Sequence, residues 1–288
     1  MRIGSDEHKQ RFCRDFMATH VAFEPAELPW PDLDEAELAR LRAVPFWQEV
    51  LFTERRAGAI VEAYAATIGD PLVREAVRLQ GLEESRHAEL LRVMIERYGV
   101  GAEPQPAQPL EGNPAEAFVN FGYGECLDAF LGVGVFAIAR RAKFLPESMF
   151  AIFDTLMREE IRHIVFFINW RAWLQARAGR GPVRRGASGL YYYSAAIGRL
   201  VETVRAGREV NGGEDFSATQ ASVFLEGFSV PQLIEDCCRE YRRRMAPFDT
   251  ALLRPMLLPR VAGVLLSAMR LGSRARFGSS TRQPDATI

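Results

Sequence analysis

Apolar residues recur along this chain at the three- and four-residue spacing of helices, and nothing in the pattern indicates strands. The first clear stripe, Trp47, Leu51, Gly58, Val61, Ala65 and Ile68, predicts a helix over Phe46–Ile68. Gly69-Asp70-Pro71 ends it and starts another, because Asp70 suits the N-cap and Pro71 the first helical position. The second helix runs to about Tyr98 on the stripe Val73, Val77, Gln80, Glu84, His87, Leu91, Met94 and Tyr98. A Gly-, Pro- and Gln-rich crossover over 99–114 follows. The third helix, from Pro114 to about Lys143, carries Phe118, Phe121, Glu125, Asp128, Gly132 and Val135. Leu145-Pro146-Glu147-Ser148 breaks the pattern. The fourth, Ser148–Arg177, carries Met149, Phe153, Leu156, Glu160, His163, Phe167, Trp170 and Leu174.

The flanks read differently. Ser5 can cap a short helix reaching about Val21, with Phe12, Phe16 and Met17 on one face. Prolines 25, 29, 31 and 45 impose extended structure around a second short helix over Asp32–Arg42. Residues 1–45 are therefore expected to form a strap across the main domain. Ala178–Ser188 reads as a basic, Gly-rich loop. Leu190–Arg208, Ala218–Phe228, Val230–Met245 and Asp249–Leu271 are candidate helices, the last broken near Pro255 and Pro259. With Arg254, Arg260 and Arg270 that last segment invites comparison with an interfacial membrane helix. Pro255, Pro259 and Arg260 in its middle favour a packed surface segment. Arg274–Ile288 has the composition of a loose tail. The expectation is an all-α protein with one four-helix core, an N-terminal strap and a C-terminal helical cover.

Composition narrows the function classes. The 288 residues are 48% apolar and 25% charged with net charge −1, enough to bury a sizeable core and no electrostatic reason to expect nucleic acid. No uncharged apolar run reaches the roughly 18–20 residues of a membrane span, and the N-terminus lacks the apolar core of a signal peptide. Cys13, Cys126, Cys237 and Cys238 lack metal-type spacing and read as free thiols in a reducing compartment. A cytoplasmic enzyme is the default expectation.

The polar residues inside the stripes carry the chemistry. Glu83-Glu84-Ser85-Arg86-His87 and Glu159-Glu160-Ile161-Arg162-His163 repeat one pattern, and the chain has only four histidines. A Glu and a His three apart on a helix lie about 60° and 4.5 Å from each other. Two such pairs on core-facing lines form the halves of a dinuclear metal centre, completed by one carboxylate from each remaining helix. Folding the first two helices about Gly69-Asp70 brings Glu54 level with Glu84 and His87, whereas Glu49 is rotated about 140° away and Glu62 sits more than a turn higher. In the second pair, height matching about Leu145-Pro146 favours Asp128. Glu125, about one turn lower, has the longer reach. Glu125 is taken as the ligand, with Asp128 as a replacement or outer group.

The doubled motif, with a lone Glu on the helix before each copy, resembles the ferritin-like diiron-carboxylate superfamily. It looks most like its oxygen-activating members: bacterial multicomponent monooxygenases, ribonucleotide reductase small subunits and diiron N-oxygenases. The resemblance covers about residues 46–178. It implies a ferritin-like four-helix bundle there, and the sequence pattern alone adds an arm over 1–45, a helical cover over 187–272 and a tail over 273–288. It implies two irons, or a manganese–iron pair, held by Glu54, Glu84, His87, Glu125, Glu160 and His163. In the monooxygenases an Asp before the ligand Glu holds the His and Arg of the opposite motif. Glu83 and Glu159 occupy that place, which implies crossed pairs of Glu83 with Arg162 and Glu159 with Arg86.

The activity this implies is O₂-dependent hydroxylation, N-oxygenation or desaturation of a small organic substrate. A separate electron donor or reductase is expected, because the chain has neither a nucleotide fingerprint nor a cluster-type cysteine set. Iron handling or peroxide scavenging is the alternative from another class. The chain extending beyond the fourth helix favours the oxidase, since it suits a cover over a substrate pocket or a homodimer interface.

Overall fold

The computed structural model describes the backbone over residues 1–101, 110–210 and 229–278. It is helical, and no strand occurs among the described residues. In chain order the helices are α1 (Asp6–Ala18), α2 (Glu35–Ala43), α3 (Trp47–Thr67), α4 (Pro71–Tyr98), α5 (Pro114–Arg141), α6 (Glu147–Arg177), α7 (Pro182–Val210), α8 (Val230–Met245) and α9 (Leu257–Gly278). A single 3₁₀ turn, Pro25–Glu27, lies between α1 and α2.

Local chemistry sets most boundaries. The Asp70 side chain accepts from the backbone N–H groups of Leu72 and Val73 and so opens α4. Gly99, in the left-handed region at φ 59°, closes it. Asn113 caps α5 and Ser5 caps α1 through the N–H of His8. Asp34 and Glu37 form a reciprocal capping box on α2.

The helices α3 and α4 pack as a pair, as do α5 and α6, and contacts of α3 with α5 and α4 with α6 close the ring. The strap helix α1 lies on α4 and α6, α7 and α8 lie on α5, and α9 lies on α8 and α5. One continuous apolar cluster runs from Phe12 and Phe16 through Phe118, Phe167 and Trp170 to Tyr241 and Leu258. His8 and Asn169 pin three parts of the chain together inside it. His8 Nε2 donates to Asn169 Oδ1 at 3.1 Å, and Asn169 bonds the backbone of Leu253 in both directions at 2.9 Å.

Four expectations from the sequence need correction. Most of Ala178–Ser188 is not a loop: Pro182 takes the first helical position and α7 starts there, eight residues before Leu190. The helix expected over Asp249–Leu271 starts only at Leu257, so Pro255 precedes it and Pro259 lies in its first turn, where a missing N–H costs nothing. It also continues to Gly278, into the segment read as a tail. The α5 stripe is rotated from the one expected: Phe118, Gly122, Cys126, Phe130 and Val133 are buried, whereas Asp128 is exposed. The candidate helix Ala218–Phe228, residues 102–109 of the crossover and residues 279–288 of the tail lie outside the described residues. Among the described residues α5 is also long and apolar enough to cross a membrane, but half of that window is buried inside the protein.

Two glycines on α5 set the distance to its neighbours. A Cβ on Gly122 would enter the Phe167 ring, and one on Gly134 would meet Cys237, including its backbone at 2.9 Å. Gly132 has open space. Gly134→Ala should therefore lower stability by about 1–2 kcal/mol despite the better helix propensity, a fall in Tm of about 2–8 °C. Gly132→Ala should be neutral or raise Tm. Thermal melts of the two variants check this, and equal effects would show that close packing at Gly134 does not set the spacing.

Candidate metal centre

Each core helix sends a carboxylate or an imidazole to the same interior point. Glu54 comes from α3, Glu84 and His87 from α4, Glu125 from α5, and Glu160 and His163 from α6. Ligand atoms of Glu54, Glu84, His87 and Glu160 lie within 4.8 Å of one another, and so do those of Glu84, Glu125, Glu160 and His163. Glu84 and Glu160 belong to both quartets, and each divides its two oxygens between them. His87 Nδ1 lies 3.6 Å from Glu84 Oε2 and 2.9 Å from Glu160 Oε1. His163 Nδ1 lies 3.1 Å from Glu84 Oε1 and 3.8 Å from Glu160 Oε2. The unshared carboxylates complete the set, Glu54 Oε2 at 3.5 Å from His87 Nδ1 and Glu125 Oε2 at 4.0 Å from His163 Nδ1.

The outward nitrogens are fixed by hydrogen bonds that cross between α4 and α6. His87 Nε2 donates to Glu159 Oε2 at 3.0 Å, and His163 Nε2 donates to Glu83 Oε2 at 2.8 Å. A carboxylate only accepts, so each Nε2 carries a proton and each Nδ1 is the nitrogen that would present a lone pair inward to a cation. The other oxygen of each glutamate takes the Arg of the opposite motif: Arg86 Nη2 donates to Glu159 Oε1 at 2.5 Å and Arg162 Nη1 to Glu83 Oε1 at 2.8 Å. Such outer bonds hold imidazole orientation and ligand basicity.

The strap supplies a further layer that sequence reasoning missed. His20 Nδ1 lies 2.6 Å from Glu83 Oε1. Arg162 donates to Thr19 Oγ1 at 2.9 Å and to the Phe16 carbonyl at 2.6 Å. Phe23 lies under the Arg86 guanidinium at 4.0 Å. Clues were present: His20 is one of four histidines, and it follows directly on the apolar face of α1. His20, Glu83 and Glu159 also lie within mutual ligand distance, but Arg86 and Arg162 already neutralise those carboxylates. Gln80 donates to Glu84 Oε1 at 3.2 Å.

Asp128 joins neither quartet. The reversal between α5 and α6 occupies residues 142–146, and from its centre Glu125 and His163 lie equally far down their helices. Asp128 instead lines a cleft of about 720 Å³ together with Thr53, Ile60, Phe121, Gly124 and Glu125. Although the residue keeps exposed surface in the cleft, loss of hydration by its carboxyl, and then the charge of Glu160, push that carboxyl up to about 6.

The donor set fits metal ions. Glu84 Oε2, Glu160 Oε1, Glu125 Oε2 and both Nδ1 atoms are buried and have no hydrogen-bond partner. Four carboxylates and two neutral imidazoles match the charge and the hard oxygen–nitrogen preference of two divalent cations. Without cations, protons must compensate. Burial pushes Glu54 up to about 7, and burial plus the charges of Glu160 and Glu84 push Glu125 well above its usual range. Burial opposes charge on His87 and His163, but the surrounding carboxylates outweigh it and raise both well above 6.5. Burial likewise opposes charge on Glu83, yet His163 and Arg162 hold it down to about 2. Models of known protein families, curated proteins and solved structures give no match to this chain.

Two outcomes follow from this electrostatics. Above pH 4.5 the metal-free native state binds more protons than the unfolded chain, through Glu54 up to about 7 and through the histidines beyond 6.5. Its stability should fall as pH rises, so metal-free protein should melt higher at pH 5 than at pH 8, with added divalent metal reversing the order. A metal-free Tm that rises between those values would contradict the assignment. Removing one outer bond with Glu159→Gln should weaken metal affinity about 10–100-fold without unfolding the chain, measured by competition with a chelator.

Proposed function

We propose that the chain is a ferritin-like, non-haem diiron oxidoreductase that uses O₂ to oxidise a small organic substrate. The observation that carries this reading is the pair of quartets sharing Glu84 and Glu160, with one oxygen of each turned to either side. Glu54 and His87 would complete one iron, Glu125 and His163 the other. A manganese–iron pair suits the same hard donors, and metal availability decides between them. Bound in this set, the metals supply the redox change needed to activate O₂.

The chain's own residues set the conditions for that chemistry. Glu83 and Glu159 hold the histidine protons on Nε2, and Arg162 and Arg86 pair with the other oxygen of those glutamates. The apolar walls around α4 and α6 exclude water from the shared carboxylates. The cleft along α3 and α5 offers a route to Glu125, and its volume is that of a small-molecule site. This cleft favours substrate oxidation over iron storage or peroxide scavenging, which need no organic pocket. The electrons come from a separate donor.

Metal analysis of protein purified after iron supplementation tests the reading. Wild type should carry about two metals per chain, His87→Ala and His163→Ala far fewer, and Asp128→Asn about as many as wild type. The chemically reduced wild type should then consume O₂ while both histidine variants do not. Folded wild type without metal, or metal indifferent to both histidines, would sink the proposal. Metal with O₂ uptake that ends in a mineral core would move the chain to the iron-handling class.

A further inference from the structure

The last described helix has an apolar surface wider than the part of it that packs. Leu258 and Leu266 are buried against the body of the protein, where α9 meets α8 and α5. Leu257, Val261, Val264 and Leu265 are exposed, at 38%, 58%, 72% and 52%. At 100° per residue these four fall within an arc of about 100°, a continuous outward stripe rather than scattered exposure. The exposed Arg260 borders that arc.

By sequence alone Pro255, Pro259 and Arg260 interrupt the middle of this segment and argue against an interfacial helix. In the structure Pro255 lies before the helix and Pro259 sits in its first turn, so Val261, Val264 and Leu265 lie beyond both. Charge supplies the second observation. From Ala251 to Pro284 the sequence contains no Asp or Glu, and its charged residues are Arg254, Arg260, Arg270, Arg274, Arg276 and Arg282, of which Arg270 pairs with Glu235 of α8 at 2.7 Å. The chain as a whole is close to neutral, so this is a local excess.

We infer that α9 is an interfacial helix that docks the protein on an anionic lipid surface, with the Leu257–Val261–Val264–Leu265 stripe entering the headgroup boundary. An exposed apolar stripe beside arginines gains from apolar burial and from anionic headgroups together. The occupant is lipid rather than a second copy, because a two-fold pairing would set this acid-free segment against itself and bring like charges together. The inference is independent of the metal centre and holds for either reading of it.

Flotation of the full-length, metal-loaded chain with vesicles tests it. Vesicles of phosphatidylcholine and phosphatidylglycerol in equal parts should carry the protein up the gradient, and phosphatidylcholine alone should carry about tenfold less. Raised salt should release it. Val264→Glu with Leu265→Glu should reduce recovery about tenfold or more with unchanged far-UV circular dichroism and metal content. Should that pair disturb folding, Val261→Ser with Val264→Ser makes the same test at lower cost to the helix. The inference is overturned if wild type fails to float with anionic vesicles, or if a folded stripe variant floats as well as wild type. It is also overturned if light scattering shows a dimer that the stripe variants convert to monomer while lipid is ignored, since a second copy would then cover the stripe.

Discussion

Four carboxylates meeting inside a helical core is the constraint on which the rest of this structure depends. Glu54, Glu84, Glu125 and Glu160 repel one another at close range in a region largely removed from water, and each loses hydration by being there. Helix packing alone cannot hold them, because sliding one helix toward solvent would relieve the repulsion. The core therefore requires positive charge at its centre. His87 and His163 can supply it only by taking protons, which removes the inward lone pairs that make the site useful. Two divalent cations would supply it and keep those lone pairs in use.

That requirement propagates outward in layers. The imidazoles must present Nδ1 inward, so Nε2–H needs a buried acceptor, and Glu159 and Glu83 provide it. Those glutamates are themselves buried anions, so Arg86 and Arg162 are drawn across from the opposite helix. Buried guanidiniums in turn need acceptors and packing partners. Thr19 Oγ1, the Phe16 carbonyl and the rings of Phe16 and Phe23 supply them, all from the strap. The strap is thus the outermost part of the metal site rather than a separate appendage. Its attachment through His8 and Asn169 ties the same network to the segment that leads into α9.

How much of this could be read from the sequence depended on the range of the interaction. Glu and His three apart on one helix are local, so the two motifs placed Glu84, His87, Glu160 and His163 on interior lines without knowledge of the fold. Glu54 followed from a tight turn at Gly69-Asp70, which fixes the height of one helix against the next. Height matching alone favours Asp128 over Glu125, the residue chosen for its reach, because the α5–α6 reversal spans several residues and an error of two in its centre exchanges the candidates. The crossed Glu–Arg pairs needed the resemblance to a known family. The contacts of Thr19, His20 and Phe23 join residues far apart in sequence through an irregular strap, where no periodicity reports which side faces in. At the C-terminal end prolines misled for a local reason. Pro182 and Pro259 lie in first turns, where the ring is welcome, and a scan that treats proline as a breaker shifts both helices.

The layers also divide the site into a closed side and an open one. Both shared carboxylates and both histidines come from α4 and α6, the helices the strap seals, and Glu84, His87 and His163 are essentially without exposed surface. The unshared carboxylates come from α3 and α5, and Glu54 and Glu125 each retain 14% side-chain exposure. The cleft reaches Glu125 between those same two helices. Hydrogen bonds therefore fix the two histidines and, through Gln80, one oxygen of Glu84, and no such bond restrains Glu160 or the carboxylates that an incoming molecule meets first. A carboxylate held only by its metal can change its mode of coordination at little cost to the fold. A histidine bound through Nε2 to a buried, Arg-paired glutamate cannot. The rigid ligands are thus the two histidines on the helices the strap covers, held through the glutamates and arginines that the strap packs against.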